Sequence, residues 1–182
     1  MNKALLLAAL GMTLASSVAL AQGQPTPDRV QADLKAASGQ STGTVTATAA
    51  PKGVLLRIEA RGLPPGWHGA HFHEKADCSD SAFTRSGGHV HGGGGKPVHG
   101  LLNPQADDSG DLPNIFVGQD GTATVELYST LVALRDGAGR PALLDTDGSA
   151  LVIHANPDDY SSQPIGGAGA RIACAEPVSY TH

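Results

Sequence analysis

Apolar and polar positions along this chain alternate in short runs and do not follow a helical period. Residues 42–49 alternate Thr and Val with Gly and Ala. Residues 54–60 form an apolar run flanked by Gly53 and Gly62, and residues 122–129 place Val125, Leu127 and Ser129 on one face. Further strand candidates lie at 67–73, 151–154 and 171–174. The separators carry turn chemistry: Pro51-Lys52-Gly53, Pro64-Pro65-Gly66, Asp120-Gly121, Asp136-Gly137 and Asp147-Gly148. No stretch of helical length repeats its apolar residues every three to four positions. Many short strands joined by Gly, Pro and Asp predict an all-β domain, an antiparallel sandwich or barrel. Strand patterning stops between Thr84 and Asn114, and a loop of that length needs a stabilising reason.

The two ends read differently. Lys3 precedes an uncharged run from Ala4 to Ala21, with an apolar core at Leu5–Leu14 and Ala19-Leu20-Ala21 at its end. This is the pattern of a secretory signal peptide over 1–21, cleaved after Ala21. Gly11, Thr13, Ser16 and Ser17 weaken a membrane-anchor reading of the same run. Residues 22–40 are polar and broken early by Pro25 and Pro27, which predicts a flexible lead-in with at most one weak helical turn. Residues 177–182 read as a short mobile tail.

Composition narrows the function. Gly (24) and Pro (12) make up about a fifth of the 182 residues, below the level of a low-complexity chain. The net charge of −5 excludes a nucleic-acid binder that works through phosphate contacts. After signal cleavage nothing in the chain calls for a membrane, and the expected location is the periplasm or another exported compartment. Export places Cys78 and Cys174 in an oxidising environment. As the only two cysteines, they can pair only with each other.

Histidine is the unusual entry in this composition: seven of eight lie between positions 68 and 154. On a strand, His71 and His73 share a face and can reach one ion, while Phe72 points to the core. His89, His91 and His99 occupy the long loop, followed by Asp107, Asp108 and Asp111. Mixed nitrogen and oxygen donors suit zinc or another borderline ion. His154 ends an apolar strand shortly before Asp158 and Asp159, an arrangement of ligand and orienting carboxylate. Arg171 lies three residues before Cys174, and a cation beside a metal suggests an anionic substrate.

Seven stretches then fall into a known order: His68-Gly69-Ala70-His71-Phe72-His73-Glu74, Asp77-Cys78-Ser79, Ser86-Gly87-Gly88-His89, His99-Gly100, Gly110-Asp111-Leu112-Pro113-Asn114, Val152-Ile153-His154 with Asp158-Asp159-Tyr160, and the run from Gly166 to Cys174. Over 41–176 the chain resembles the copper/zinc superoxide dismutases, in particular their exported bacterial branch. The resemblance implies a Greek-key β-barrel or sandwich with long metal-binding loops. It implies copper on His71, His73, His89 and His154, with His89 bridging to zinc on His99, Asp108 and Asp111. Asp158 resembles the carboxylate that joins the two sites, His68 the histidine that brace the copper strand, Cys78–Cys174 the family disulfide, and Arg171 the active-site arginine.

The implied activity is dismutation of superoxide to oxygen and hydrogen peroxide, with copper alternately reduced and oxidised. Two positions depart from the family pattern. Asp108 stands where the family carries His, which makes the second site harder and more negative. His91 and a four-glycine run replace the usual turn, and His91 reads either as an extra ligand or as a solvated loop residue. A copper-buffering protein with the same fold and weak activity is the alternative. Monomer and homodimer both remain open.

Overall fold

The computed structural model describes residues 28–135 and 139–177. Among them nine strands follow in chain order: β1 Arg29–Ala36, β2 Ser41–Ala50, β3 Gly53–Ala60, β4 Gly66–His68, β5 Ala70–His73, β6 Ile115–Val117, β7 Ala123–Ser129, β8 Ala150–His154 and β9 Arg171–Ala175. The one helical element among the described residues is a 3-10 turn at Thr84–Ser86. Seven strands form one sheet in the order β5-β8-β9-β1-β2-β3-β7, and β4 pairs with β6 in a second ribbon. Every pairing is antiparallel. The expected all-β architecture with long metal-loop connections is the observed one.

Alternation explains the inner face. Val54, Leu56, Ile58 and Ala60 of β3 are buried, while Leu55, Arg57 and Glu59 are exposed. Val45 and Ala47 of β2 join them, as do Ile115 and Val117 of β6. β8 is buried along its whole length, Ala150 to His154: β5 and β9 flank it, Leu151 and Ile153 enter the main core, and Ala150 and Val152 pack with Phe83 and Cys174. The main core cluster is therefore aliphatic apart from Phe72, and Phe83 is buried in a smaller cluster with Ala150, Val152 and Cys174.

Two expectations need correction. The lead-in over 22–40 is not flexible from Arg29 onward: β1 pairs with β2 from Arg29↔Thr48 and with β9 from Leu34↔Ala175. Val30, Ala32 and Leu34 point inward, and Arg29, Gln31 and Lys35 point out. Its polar residues all lie on the solvent face, so average polarity concealed a period of two. The single strand expected at 67–73 is two strands. At Gly69 the chain leaves the ribbon with β6 and enters the main sheet beside β8. The predicted leader 1–21, residues 22–27 and the tail beyond Pro177 lie outside the described residues.

Candidate metal centre

β5 is an edge strand, and its free edge is what gathers the site. The Phe72 amide donates to Gly110 O at 2.8 Å, and the Val90 amide donates to Phe72 O at 2.9 Å. Bridges pair His73 with His89, His71 with Asp111, and His91 with Asp108. The long loop thus lies along β5 in two segments, one bringing His89 and the other Asp108 and Asp111. Gly110 is required there, because a Cβ would collide with the carbonyl oxygen of Phe72. On the other side β8 brings His154 next to β5, and the β8–β9 register sets His154 opposite Arg171.

Four imidazoles converge. One ring nitrogen from each of His71, His73, His89 and His154 lies within 4.8 Å of the others, and all four residues are buried. Their opposite nitrogens are committed. His73 Nδ1 donates to Gly87 O at 2.9 Å and His154 Nδ1 to Gly169 O at 3.0 Å. His71 Nε2 lies 2.8 Å from Asp158 Oδ2, and His89 Nδ1 lies 2.7 Å from Asp108 Oδ2. The inward atoms, His71 Nδ1 and Nε2 of His73, His89 and His154, are buried without any hydrogen-bond partner. Four orphaned lone pairs aimed at one point fit a metal ion with imidazole preference.

A second group adjoins it: His89, His99, Asp108 and Asp111, again within 4.8 Å. His99 Nδ1 stands 2.6 Å from Asp111 Oδ1, yet neither atom has a partner in hydrogen-bond geometry. Both atoms face a common point instead of each other. Two nitrogens and two carboxylates fit zinc. His89 belongs to both groups. Asp158 joins them from behind, with Oδ2 to His71 at 2.8 Å and Oδ1 to His99 at 3.0 Å.

The two halves differ electrically. Burial, reinforced by His89 and Arg171, lowers His73 to about 2, and burial with neighbouring His71 lowers His154 to about 3. At His99 burial opposes the charged form, but the adjacent carboxylates of Asp108, Asp111 and Asp158 overcome it and raise the group to about 11. His89 is raised by the same contest against Asp108 and Asp111. Burial also opposes ionisation of Asp108 and Asp158, and their histidine partners hold both well below the usual carboxylate range. Apart from the shared His89, one half is a cluster of neutral imidazoles, and the other is a charge-paired carboxylate cluster.

A funnel of about 340 Å³ opens on His73, His89 and His154, with Arg171, Lys96, Pro164 and Ile165 in its wall. Arg171 is half-buried and donates to Ser86 Oγ at 3.0 Å and Gly87 O at 2.8 Å, and also to Phe83 O. Cys78 and Cys174 form a disulfide, Cα to Cα 5.9 Å, which staples β9 to the segment that supplies these acceptors. His68 places its two ring nitrogens 2.8 Å from His154 O and 2.8 Å from Pro64 O.

Of the residues singled out in the sequence, Asp107, Asp159 and His91 stand apart: Asp107 and Asp159 are exposed and accept from backbone amides of their own loops. His91 is the one histidine among them. It belongs to no cluster, its Nδ1 faces His89 O at 3.0 Å, and it lines a separate cleft of about 600 Å³. Sequence reasoning gave no role to Asn114 or Lys96. Asn114 Nδ2 donates to Asp158 O, and its Oδ1 accepts from Asp158 N, both at 2.9 Å. Lys96, the cation after the glycine run, reaches the funnel wall.

The fold and site define an antiparallel β-barrel metalloprotein with two clusters sharing one histidine. Residues 41–176 match the family model described as copper/zinc superoxide dismutase. The chain is 62% identical over 141 residues to the copper/zinc superoxide dismutase of Caulobacter vibrioides, covering 78% of this chain and 80% of that protein. It is 38% identical over 167 residues to superoxide dismutase 2 of Aquifex aeolicus, covering 91% and 96%. A crystal structure of a dismutase-like protein from Bacillus subtilis superposes with a TM-score of 0.76 at 34% identity, covering 81% of this chain and 97% of that one. The chain belongs to the copper/zinc superoxide dismutase family, whose cofactors are copper and zinc.

Proposed function

We propose that this protein dismutes superoxide to oxygen and hydrogen peroxide. Copper would be held by His71, His73, His89 and His154, and zinc by His89, His99, Asp108 and Asp111. The observation that carries the reading is His89, which turns an unpartnered Nε2 into the four-imidazole group and its Nδ1 toward the carboxylates. Copper, when bound, supplies one-electron oxidation and reduction, which d¹⁰ zinc cannot.

The chain's own residues do the rest. Arg171, fixed by its carbonyl and hydroxyl acceptors, attracts the anion and orients it in the funnel. His89 Nε2 takes a proton and returns it to the reduced product, while Nδ1 keeps the ring anchored on the carboxylate side. Asp158 holds the His71 and His99 rings so that both Nδ1 atoms face inward. His68 braces the backbone of His154.

The leader at 1–21 supports export to the periplasm with cleavage after Ala21, and a mature mass that begins at Gln22 is the expected result for the exported protein. For the activity, copper and zinc per chain are measured together with dismutation rate per copper. Fast turnover with about one of each metal per chain is expected. Copper without appreciable turnover would favour a copper-buffering protein.

A further inference from the structure

We propose that Gln163 is a positioning residue for the zinc cluster, fixing the backbone of His99 through its side-chain amide and so setting zinc affinity. The inference rests on the placement of zinc at His99. The direction of His99 Nδ1 depends on where its backbone sits, and that backbone is held from outside the loop. The His99 amide donates to Gln163 Oε1 at 2.9 Å, and Gln163 Nε2 donates back to His99 O at 2.8 Å. The amide spends its acceptor and a donor on one residue, closing a ring like that between paired strands, across 64 positions of sequence.

The same loop grips the other end of His99. Asp158 Oδ1 meets its Nε2 at 3.0 Å, and the Tyr160 carbonyl accepts from Leu102 N at 3.1 Å. His99 is therefore clamped through its ring by Asp158 and through its backbone by Gln163. Beyond Gln163 the chain continues as Pro164 and Ile165 in the funnel wall. Asn103 Nδ2 reaches the same His99 carbonyl, but at 3.2 Å, and it offers nothing to the His99 amide. Only a side chain with both a donor and an acceptor at this reach performs the whole task. A carboxylate has acceptors alone.

Gln163 is exposed and contributes no ligand atom to either cluster, so replacing it leaves the core intact. The protein and its Gln163→Ala and Gln163→Glu variants are stripped of metal and titrated with zinc against a competing chelator. Copper affinity and unfolding of the metal-free forms are followed in parallel, and cobalt is used as an absorbing probe of the zinc site. Zinc affinity is expected to fall about 10–100-fold in both variants, the range for residues that orient a ligand from behind. The cobalt bands are expected to shift, with copper affinity and metal-free stability unchanged. Zinc affinity equal to the parent in Gln163→Ala would overturn the proposal. So would a parallel loss of copper affinity or of metal-free stability, which would mark a general structural role. A parent protein that fails to bind zinc would instead overturn the placement of zinc at His99, and this inference with it.

Discussion

Asp108 is the member of the second cluster for which the family resemblance implies a histidine. Its Oδ2 stands 2.7 Å from His89 Nδ1, and its Oδ1 accepts from Gly110 N at 2.9 Å, so the carboxylate is oriented for its task. Asp108→His should raise zinc affinity and selectivity, because a second carboxylate makes the site harder and more anionic. Copper loading should barely change. Competitive chelation of both forms checks this, and equal zinc affinities would contradict it. The same charges shape stability in protein freed of metal. His73 and His154, lowered to about 2 and about 3, stay neutral in the fold, so the unfolded chain takes protons that the fold refuses below pH 6.5. Their contribution is lost as pH falls from 6.5 toward 3, and that of Asp108 and Asp158 is lost at still lower pH. His99, raised to about 11, contributes fully below 6.5 and loses its share as pH rises toward 11. Chemical denaturation across pH should therefore show maximal stability near neutrality, and a monotonic profile would contradict the charge assignment. Part of this site was legible residue by residue, since His71 and His73 share a strand face and the loop from His89 to Asp111 mixes nitrogen and oxygen donors, while the division into two ligand sets came from the family resemblance. The roles of Asn114, which ends one of the matched stretches, and of Gln163 were not, because each acts on a backbone dozens of positions away.

At the level of elements, the lesson lies in which strands the pattern revealed. β2, β3, β7, β8 and β9 were visible because each carries a clean alternation or an apolar run. β1 was hidden by Arg29, Gln31, Asp33 and Lys35, all of them on its outer face or at its ends. β6 is three residues long, too short for any period to show, and exists only because β4 offers it a partner. The long loop was correctly free of strands, yet it behaves as a surrogate neighbour of β5 through Val90 and Gly110. β9 links the core to the chemistry, as its Ile172 and Ala173 pack on the core while Arg171 faces the funnel and Cys174 reaches Cys78. The disulfide closes a sequence separation of 96, so Cys78→Ser with Cys174→Ser should lower unfolding free energy by up to about 4–5 kcal/mol in the chain-entropy picture. Denaturant melts of the two forms measure it. An unchanged midpoint would mean that Phe83, Val152 and Arg171 already hold that segment without the bridge.

Over the whole molecule the charge has the wrong sign for the proposed substrate. The chain carries −5, and loss of Lys3 with the leader would make the mature protein −6. A negative protein repels superoxide at long range, so turnover must depend on a local field that reverses the global one. The funnel supplies it, with Arg171, set opposite His154, and Lys96 both in its wall, while the carboxylates of the site lie against histidines. Exposed charges beyond about 8 Å are largely screened at physiological ionic strength, which removes distant repulsion before it removes the pull inside the funnel. Further salt should then weaken that pull and slow the enzyme. Arg171→Ala should lower kcat/KM by about tenfold or more and flatten its decline with salt, since steering of this kind contributes 10- to 1,000-fold. Copper should remain bound, because Arg171 touches Phe83, Ser86 and Gly87 and none of the four imidazoles that hold it. The rate per copper against ionic strength, compared between the two forms, decides the matter. Parallel salt profiles would place the steering field elsewhere on the surface, and copper loss in the variant would make Arg171 a brace for the site and not a guide for the anion.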